Sequence, residues 1–329
     1  MWWEPEDERE RRVREDVEHL SRWFNEMRFA EQPPAWGVGS VWNDLEGGLS
    51  PFVILNAARW PYSFKPGAQA KFRPQEVRTP LDEPAWRLPK TQEPMLGVAA
   101  YRPMLASTSV ARLKAFLADQ IYVRDYVICQ RTGDQGTAGV RVRNMATGHV
   151  GLLTAGHVFR DGVGSEVSRR RWPRLGRLSS IVEFGRISHH VMPRPGWGDW
   201  DVAIIDVERA PIPATRPVNQ LCGTSRFNRN VFAHGARSGF MSDAIVVKAA
   251  LTDYGDDQYR WRNCWAVVPG GVLRPGDSGT AVFTVEDQGL LGVYVGSART
   301  PAGRAAIHFV QDAESIASNV LANWGYGFF

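Results

Sequence analysis

The sequence predicts a mainly β protein built on two small β-barrels, with a helical and irregular segment before them and a helix after them. Three observations carry this. From Ile121 onward the text breaks into short β-branched and aromatic runs separated by Gly, Asn and Asp, the pattern of a barrel or sandwich. Between residues 4 and 30, Val13, Val17, Leu20, Phe24 and Met27 recur at spacings of four, three, four and three, which marks one face of a helix. Over Asp312 to Trp324, the positions of Ile316, Val320 and Leu321 point to a second helix.

Taken in order, the first helix is densely charged apart from that apolar stripe, which must be covered by the body of the chain or by another protein. The first alternative is preferred, because Trp23 and Phe24 together are costly to leave wet. From Gln32 to about Thr91 the chain is rich in Pro, Gly and Trp, with one strand-like run, Phe52 to Leu55. Of the 13 tryptophans, Trp2, Trp3, Trp23, Trp36, Trp42, Trp60 and Trp86 fall here or earlier, so the segment is expected to pack and to regulate or direct the barrels after it. A short helix is expected over Ser109 to Asp119. The strands expected after it are Tyr122–Cys129, Val140–Arg143, His149–Thr154, Ile181–Ser188, Val202–Val207, Asn230–His234, Ile245–Ala250, Trp265–Val268, Thr280–Thr284, Leu290–Val295 and Ala306–Val310. The expected division is an accessory segment over residues 1–120 and a barrel domain over residues 121–329.

Composition narrows the function. With 43% hydrophobic and 22% charged residues the chain is an ordinary globular one, and a formal net charge of +4 over 329 residues does not by itself imply nucleic acid. The basic run Ser168 to Arg174 reads as a solvated surface loop. A nucleic-acid contact through Arg169 to Arg174 is the lesser reading, whose mark is steeply salt-dependent binding. The acidic start, Met1 to Asp7, lacks the basic and apolar pattern of a secretory leader, and no apolar stretch reaches membrane-spanning length. Cys129, Cys222 and Cys264 are widely spaced, with no zinc-binding arrangement, and read as buried thiols in a reducing compartment. A cytoplasmic protein without a membrane partner, metal or cofactor is expected.

Three local signals then come in the order His, Asp, Ser. The apolar run Leu152-Leu153 leads through Thr154-Ala155-Gly156 to His157, which presents an imidazole at a strand end. Asp201 stands directly before the apolar run Val202 to Ile205, where a carboxylate can hold an imidazole N–H, and Asp199 competes for that role. Either signal alone is more often structural. The third, Gly276-Asp277-Ser278-Gly279, is the most specific, because glycines on both sides of Ser278 allow a tight loop whose N–H groups converge. Gly276 and Ser278 are assigned as the oxyanion donors.

This constellation resembles the chymotrypsin or trypsin-like serine peptidase family, in an intracellular, disulfide-free form, over roughly residues 120–329. The resemblance implies a chymotrypsin-like double β-barrel in which Ser278 is the nucleophile, His157 the general base and then acid, and Asp201 the orienting carboxylate. It implies that Asp277 matches a position whose carboxylate is held in a buried salt bridge that shapes the oxyanion loop, its partner here an internal arginine or a backbone group. Val158 stands where secreted members often carry a disulfide cysteine. The resemblance places the pocket floor at Val272 and one wall along Val293, Tyr294, Val295 and Gly296. No carboxylate lies between Ala266 and Gly276, so an apolar or small residue is expected at the cleaved position, not Arg or Lys. An acidic preference, through Arg274, Arg299 or Arg304, is the lesser expectation. The function implied is an endopeptidase acting on a protein or peptide substrate, restricted or activated by a regulatory protein bound through the N-terminal segment, in a signalling or defence pathway. The alternative is a peptide-binding module of the same fold that has lost turnover.

Overall fold

A computed structural model describes residues 8–27, 35–43, 48–56, 96–100, 103–105, 126–171, 180–193, 200–207, 218, 220–222, 227–255, 259–268, 273–299 and 305–329. The expected N-terminal stripe forms helix α1 (Glu8–Met27). Strands β1 (Ala35–Asn43), β2 (Gly48–Asn56), β3 (Leu96–Ala100) and β4 (Pro103–Leu105) come after it. The next run is β5 (Tyr126–Cys129), β6 (Gln135–Thr137), β7 (Val140–Asn144), β8 (Val150–Thr154), β9 (Glu166–Arg171), β10 (Ser180–Val191) and β11 (Val202–Val207). The last run is β12 (Asn230–Gly235), β13 (Gly239–Gly255), β14 (Arg260–Val268), β15 (Ala281–Thr284), β16 (Leu290–Arg299) and β17 (Ala305–Asp312), then α2 (Ala313–Ile316) and β18 (Tyr326–Phe328).

The pairings close two six-stranded barrels. In the first, β5, β9, β10, β11 and β8 are successive neighbours, β8 pairs with β7, and β6 pairs back to β5. The chain runs from β6 through Ala138 and Gly139 into β7, so β6 and β7 act as one bent strand and the ring is complete. In the second, β12, β15, β16, β17, β14 and β13 are successive neighbours, and β13 returns to β12. Each expected strand overlaps one of these. Closure removes the unpaired edges that short strands otherwise expose.

The apolar runs are continuous because both faces of several strands are buried. Ala203 and Ile205 point into the first barrel with Val127, Leu152 and Val167, while Val202 and Ile204 meet Val293, Ala313 and Ile316 between the barrels. The second barrel is filled by Val231, Trp265, Val267, Leu291, Tyr294 and Val310. Asp312 caps the C-terminal helix by accepting the Ser315 N–H at 2.7 Å, and helical backbone continues through Trp324 to Gly325, whose φ of 73° ends it.

The N-terminal segment extends the second barrel's sheet. β1 pairs antiparallel with β13, β2 with β1, and β3 runs parallel to β2. Leu20 and Phe24 of α1 pack on Ala35, Val38 and Val53, and Val13 and Val17 on Leu49, so the apolar stripe is covered by this chain and is not open to a second protein. Trp42 stacks at 6.4 Å on Phe227, which meets Trp265 edge-on, linking the segment to the barrel core. Two sequence expectations need correction or bounding. Ser168 to Arg171 belong to β9, paired with β10, and are not a surface loop: the ladder uses backbone groups and accepts an arginine run. The helix expected over Ser109 to Asp119 lies outside the described residues, as do Trp2, Trp3, Trp60 and Trp86.

Candidate active site

His157 sits where β8 ends. Ala155 is still extended, with φ −74° and ψ 135°, and Gly156–Phe159 then make one tight helical turn that turns the imidazole toward the second barrel. Asp201 precedes β11, the antiparallel neighbour of β8, so two adjacent strands bring acid and base together. Asp201 Oδ2 is 2.6 Å from His157 Nδ1, and its Oδ1 accepts the His157 backbone N–H at 2.7 Å. His157 Nε2 lies 2.8 Å from Ser278 Oγ. All three residues are 0% exposed. Asp199 lies outside the described residues.

Burial alone would push the Asp201 carboxyl up, but the His157 charge and hydrogen bonds from the His157 ring, the Trp261 indole and the His157 backbone outweigh it and hold the group below the usual carboxylate range. The Trp261 indole N–H, on β14, donates to Asp201 Oδ2 at 3.0 Å. The Asp201 N–H donates at 2.9 Å to Gln311 Oε1, on β17. The second barrel thus grips the carboxylate of the first. Sequence reasoning missed Trp261 and Gln311, because neither stands at a fixed spacing from a recognisable motif.

The serine loop is tied to both barrels. Thr137 N–H, on β6, donates to Ser278 O at 2.7 Å, and Gly279 N–H donates to Tyr294 O at 2.9 Å. Gly276 and Gly279 have φ of 102° and 92°, a backbone that a side chain resists, and a Cβ on Gly279 would stand 2.4 Å from Thr154 Oγ1. The N–H groups of Asp277 and Gly279 are engaged by Arg274 O and Tyr294 O. Those of Gly276 and Ser278 donate to no protein acceptor among the described residues.

Asp277 is buried, and its partners are backbone groups and a hydroxyl. Oδ1 accepts the N–H of Arg237 at 2.8 Å and of Ser238 at 3.1 Å; Oδ2 accepts the Ser238 hydroxyl at 2.5 Å and the Arg274 N–H at 2.8 Å. The Arg237 guanidinium turns instead to Pro275 O at 2.7 Å. Tyr126 is pushed up to about 12, first by burial and then by the Asp277 charge, with Arg237 opposing.

The residues expected to line a pocket separate. Val272 lies outside the described residues. Val293 packs with Ala281, Ala313 and Ile316 in the layer between the barrels, so its side chain is core and forms no pocket wall. Tyr294 is buried in the second barrel, its ring edge-on to His308 at 5.4 Å and its hydroxyl 3.3 Å from Ser297 Oγ. Val295 and Gly296 are buried on the same strand. Val293 and Tyr294 thus face opposite sides of β16, and the pairing register shifts between Tyr294 and Gly296.

His308 accepts the Leu273 N–H on Nε2 at 3.2 Å, and burial pulls its imidazole down from the ordinary 6.5 to about 4. Between those pH values the unfolded chain binds a proton that the folded chain refuses. The stabilisation is therefore complete above pH 6.5 and is lost as pH falls toward 4, amounting to about 3 kcal/mol. The denaturant midpoint should fall over that window and fall less in His308→Gln; an equal fall in both would assign the loss to other groups.

No protein-family model matches the chain, and no curated protein matches it. Solved structures do. A Nocardiopsis protease is 16% identical with a TM-score of 0.45, covering 63% of this chain and 99% of that one. A Cellulomonas bogoriensis chymotrypsin is 15% identical, TM-score 0.44, covering 64% and 99%. A glutamic acid specific serine protease is 16% identical, TM-score 0.47, covering 64% and 100%. These are chymotrypsin-like serine proteases, and the chain is similar to them.

Proposed function

We propose that this chain is a serine endopeptidase in which Ser278, His157 and Asp201 form the catalytic triad. The observation that carries the reading is the hydrogen-bonded line Asp201–His157–Ser278, with 2.6 Å and 2.8 Å links across the junction of two barrels. Ser278 Oγ attacks the substrate carbonyl as His157 Nε2 takes its proton. Asp201 fixes the tautomer and steadies the imidazolium, and His157 then protonates the leaving amine. The Gly276 and Ser278 N–H groups receive the developing oxyanion, while the intervening Asp277 N–H stays engaged within the loop. Water repeats the sequence on the acyl-enzyme.

The cytoplasmic setting and a restricted substrate belong to the same proposal; Cys129, Cys222 and Cys264 are buried and form no disulfide among the described residues, which suits a reducing compartment. No helix among the described residues is long and apolar enough to cross a membrane. A fluorophosphonate should label Ser278, and peptides with an apolar or small residue before the cleaved bond should be cut faster than those with Arg or Lys. Failure of Ser278 to label would favour a binding module, and a profile dominated by basic residues would overturn the specificity.

A further inference from the structure

Strand β16 has two edges. β17 occupies one along nearly the whole strand, from Gly292↔Asp312 to Arg299↔Ala305. On the other, β15 pairs as far as Ala281↔Val293. The serine loop comes next, with Tyr294 N–H donating to Thr280 O and Gly279 N–H to Tyr294 O. β4 then continues the same edge, with Leu105↔Gly296, Met104↔Ser297 and Pro103↔Ala298. Along this edge only Val295 stands between the loop that carries Ser278 and a strand from much earlier in the chain.

An extended peptide awaiting acyl transfer needs main-chain partners beside the nucleophile, because they hold its carbonyl in place for attack. The edge over Gly296–Ala298 can supply them, since the opposite edge of β16 already belongs to β17. Direction matters as much as place. β4 is antiparallel to β16, so its N-to-C course runs from Ala298 back toward Val295 and the serine loop. The residues before a cleaved bond must approach Ser278 in that same sense. A strand edge pairs with one main chain at a time, so β4 and an incoming peptide exclude each other.

We propose that β4 is an internal competitor for the substrate's place, holding the β16 edge that would receive the residues before the cleaved bond. The inference rests on Ser278 being the nucleophile. Outside peptides are then cut only by the fraction of molecules from which β4 has left the edge, and their apparent affinity falls by that fraction. β3 ends three positions before β4 begins and is fastened through β2 and β1 to β13, which keeps β4 at the edge at high effective concentration. β4 is three residues long, against nine in each of β1 and β2, so it can peel away while the rest of the segment stays docked. A partner that captured β4 would switch the chain on without touching the triad.

Two probes of the full-length protein separate this from a general effect on the site. A bare fluorophosphonate needs Ser278 but not the β16 edge; a tetrapeptidyl diphenyl phosphonate ending in an apolar residue needs both. Met104→Pro/Leu105→Pro leaves β4 with no N–H to offer β16, since residue 103 is already proline. The peptidyl probe should react about tenfold faster with this variant than with wild type, and the bare probe should change less than about twofold. KM for a peptide should fall by the same factor as the peptidyl probe gains, with kcat unchanged. Met104→Cys/Ser297→Cys sets two thiols directly opposite each other, at a Cβ separation of about 4.5–5.5 Å that a disulfide can bridge with slight adjustment. Oxidation should slow the peptidyl probe more than about tenfold by pinning β4, and reduction should reverse it; this form decides should the proline variant not fold. Equal gains for both probes, no gain in a folded proline variant, or an oxidised form as reactive as its reduced form overturns the competitor and, where the bare probe labels Ser278, leaves the peptidase reading standing. If the bare probe labels Ser278 in none of these proteins, both readings fall.

Discussion

Ser278→Ala should lower peptide turnover by about a millionfold while leaving the unfolding transition nearly unchanged. The change removes one hydroxyl and no backbone support, because the loop is held by Thr137, Arg274 and Tyr294 through main-chain bonds. His157→Ala should cost about as much, since nucleophile and base act as a unit. Asp201→Asn should lose roughly ten-thousandfold: an amide in place of the carboxylate favours the wrong imidazole tautomer and cannot steady its charge. That loss should be paired with reduced stability, because the Trp261 indole N–H and the His157 backbone N–H both aim at oxygens of this buried group. Asp199→Asn should do much less. Steady-state kinetics beside denaturant melts check all four; Asp201→Asn with wild-type turnover would refute the assignment of the acid.

The proposed triad is legible in the sequence because each member sits next to a local pattern that the backbone itself requires. Ser278 needs glycines at positive φ, and Asp201 needs a strand buried on both faces, which Val202 to Ile205 announce. The residues that hold those members are not local. Trp261, Gln311 and Thr137 reach the site from strands far away in sequence, and any buried strand residue could look the same. The arginine run of β9 misleads because its charge suggests solvent, whereas its structure is set by backbone pairing to β10. β1 escapes sequence reading for a related reason: Gly37, Gly39 and Ser40 have weak strand preference, overridden by pairing with β13 on one side and β2 on the other. Composition alone sets the division at residue 120, yet β1 and β4 each pair with strands beyond it, so segment and barrel share one sheet.

Asp277→Asn should destabilise the protein by about 3 kcal/mol and cut turnover about a hundredfold. The carboxylate accepts from three backbone N–H groups and one hydroxyl, and the four donors come from the hairpin after β12 and from the serine loop itself. An amide can still accept on one side, but its NH2 would face either the Arg237 and Ser238 N–H groups or the Arg274 N–H, donor against donor. Gly235 packs closely against the same carboxylate, leaving no room for a Cβ beside Oδ1. The loop must therefore shift, and the Gly276 and Ser278 N–H groups shift with it. Since Ser278 Oγ keeps its own tether to His157, the loss should appear mainly in kcat, with labelling slowed but not abolished. Ser238→Ala, which removes one donor and leaves three, should show the same pattern at smaller size. Wild-type stability and kcat in Asp277→Asn would show that this carboxylate does not shape the loop.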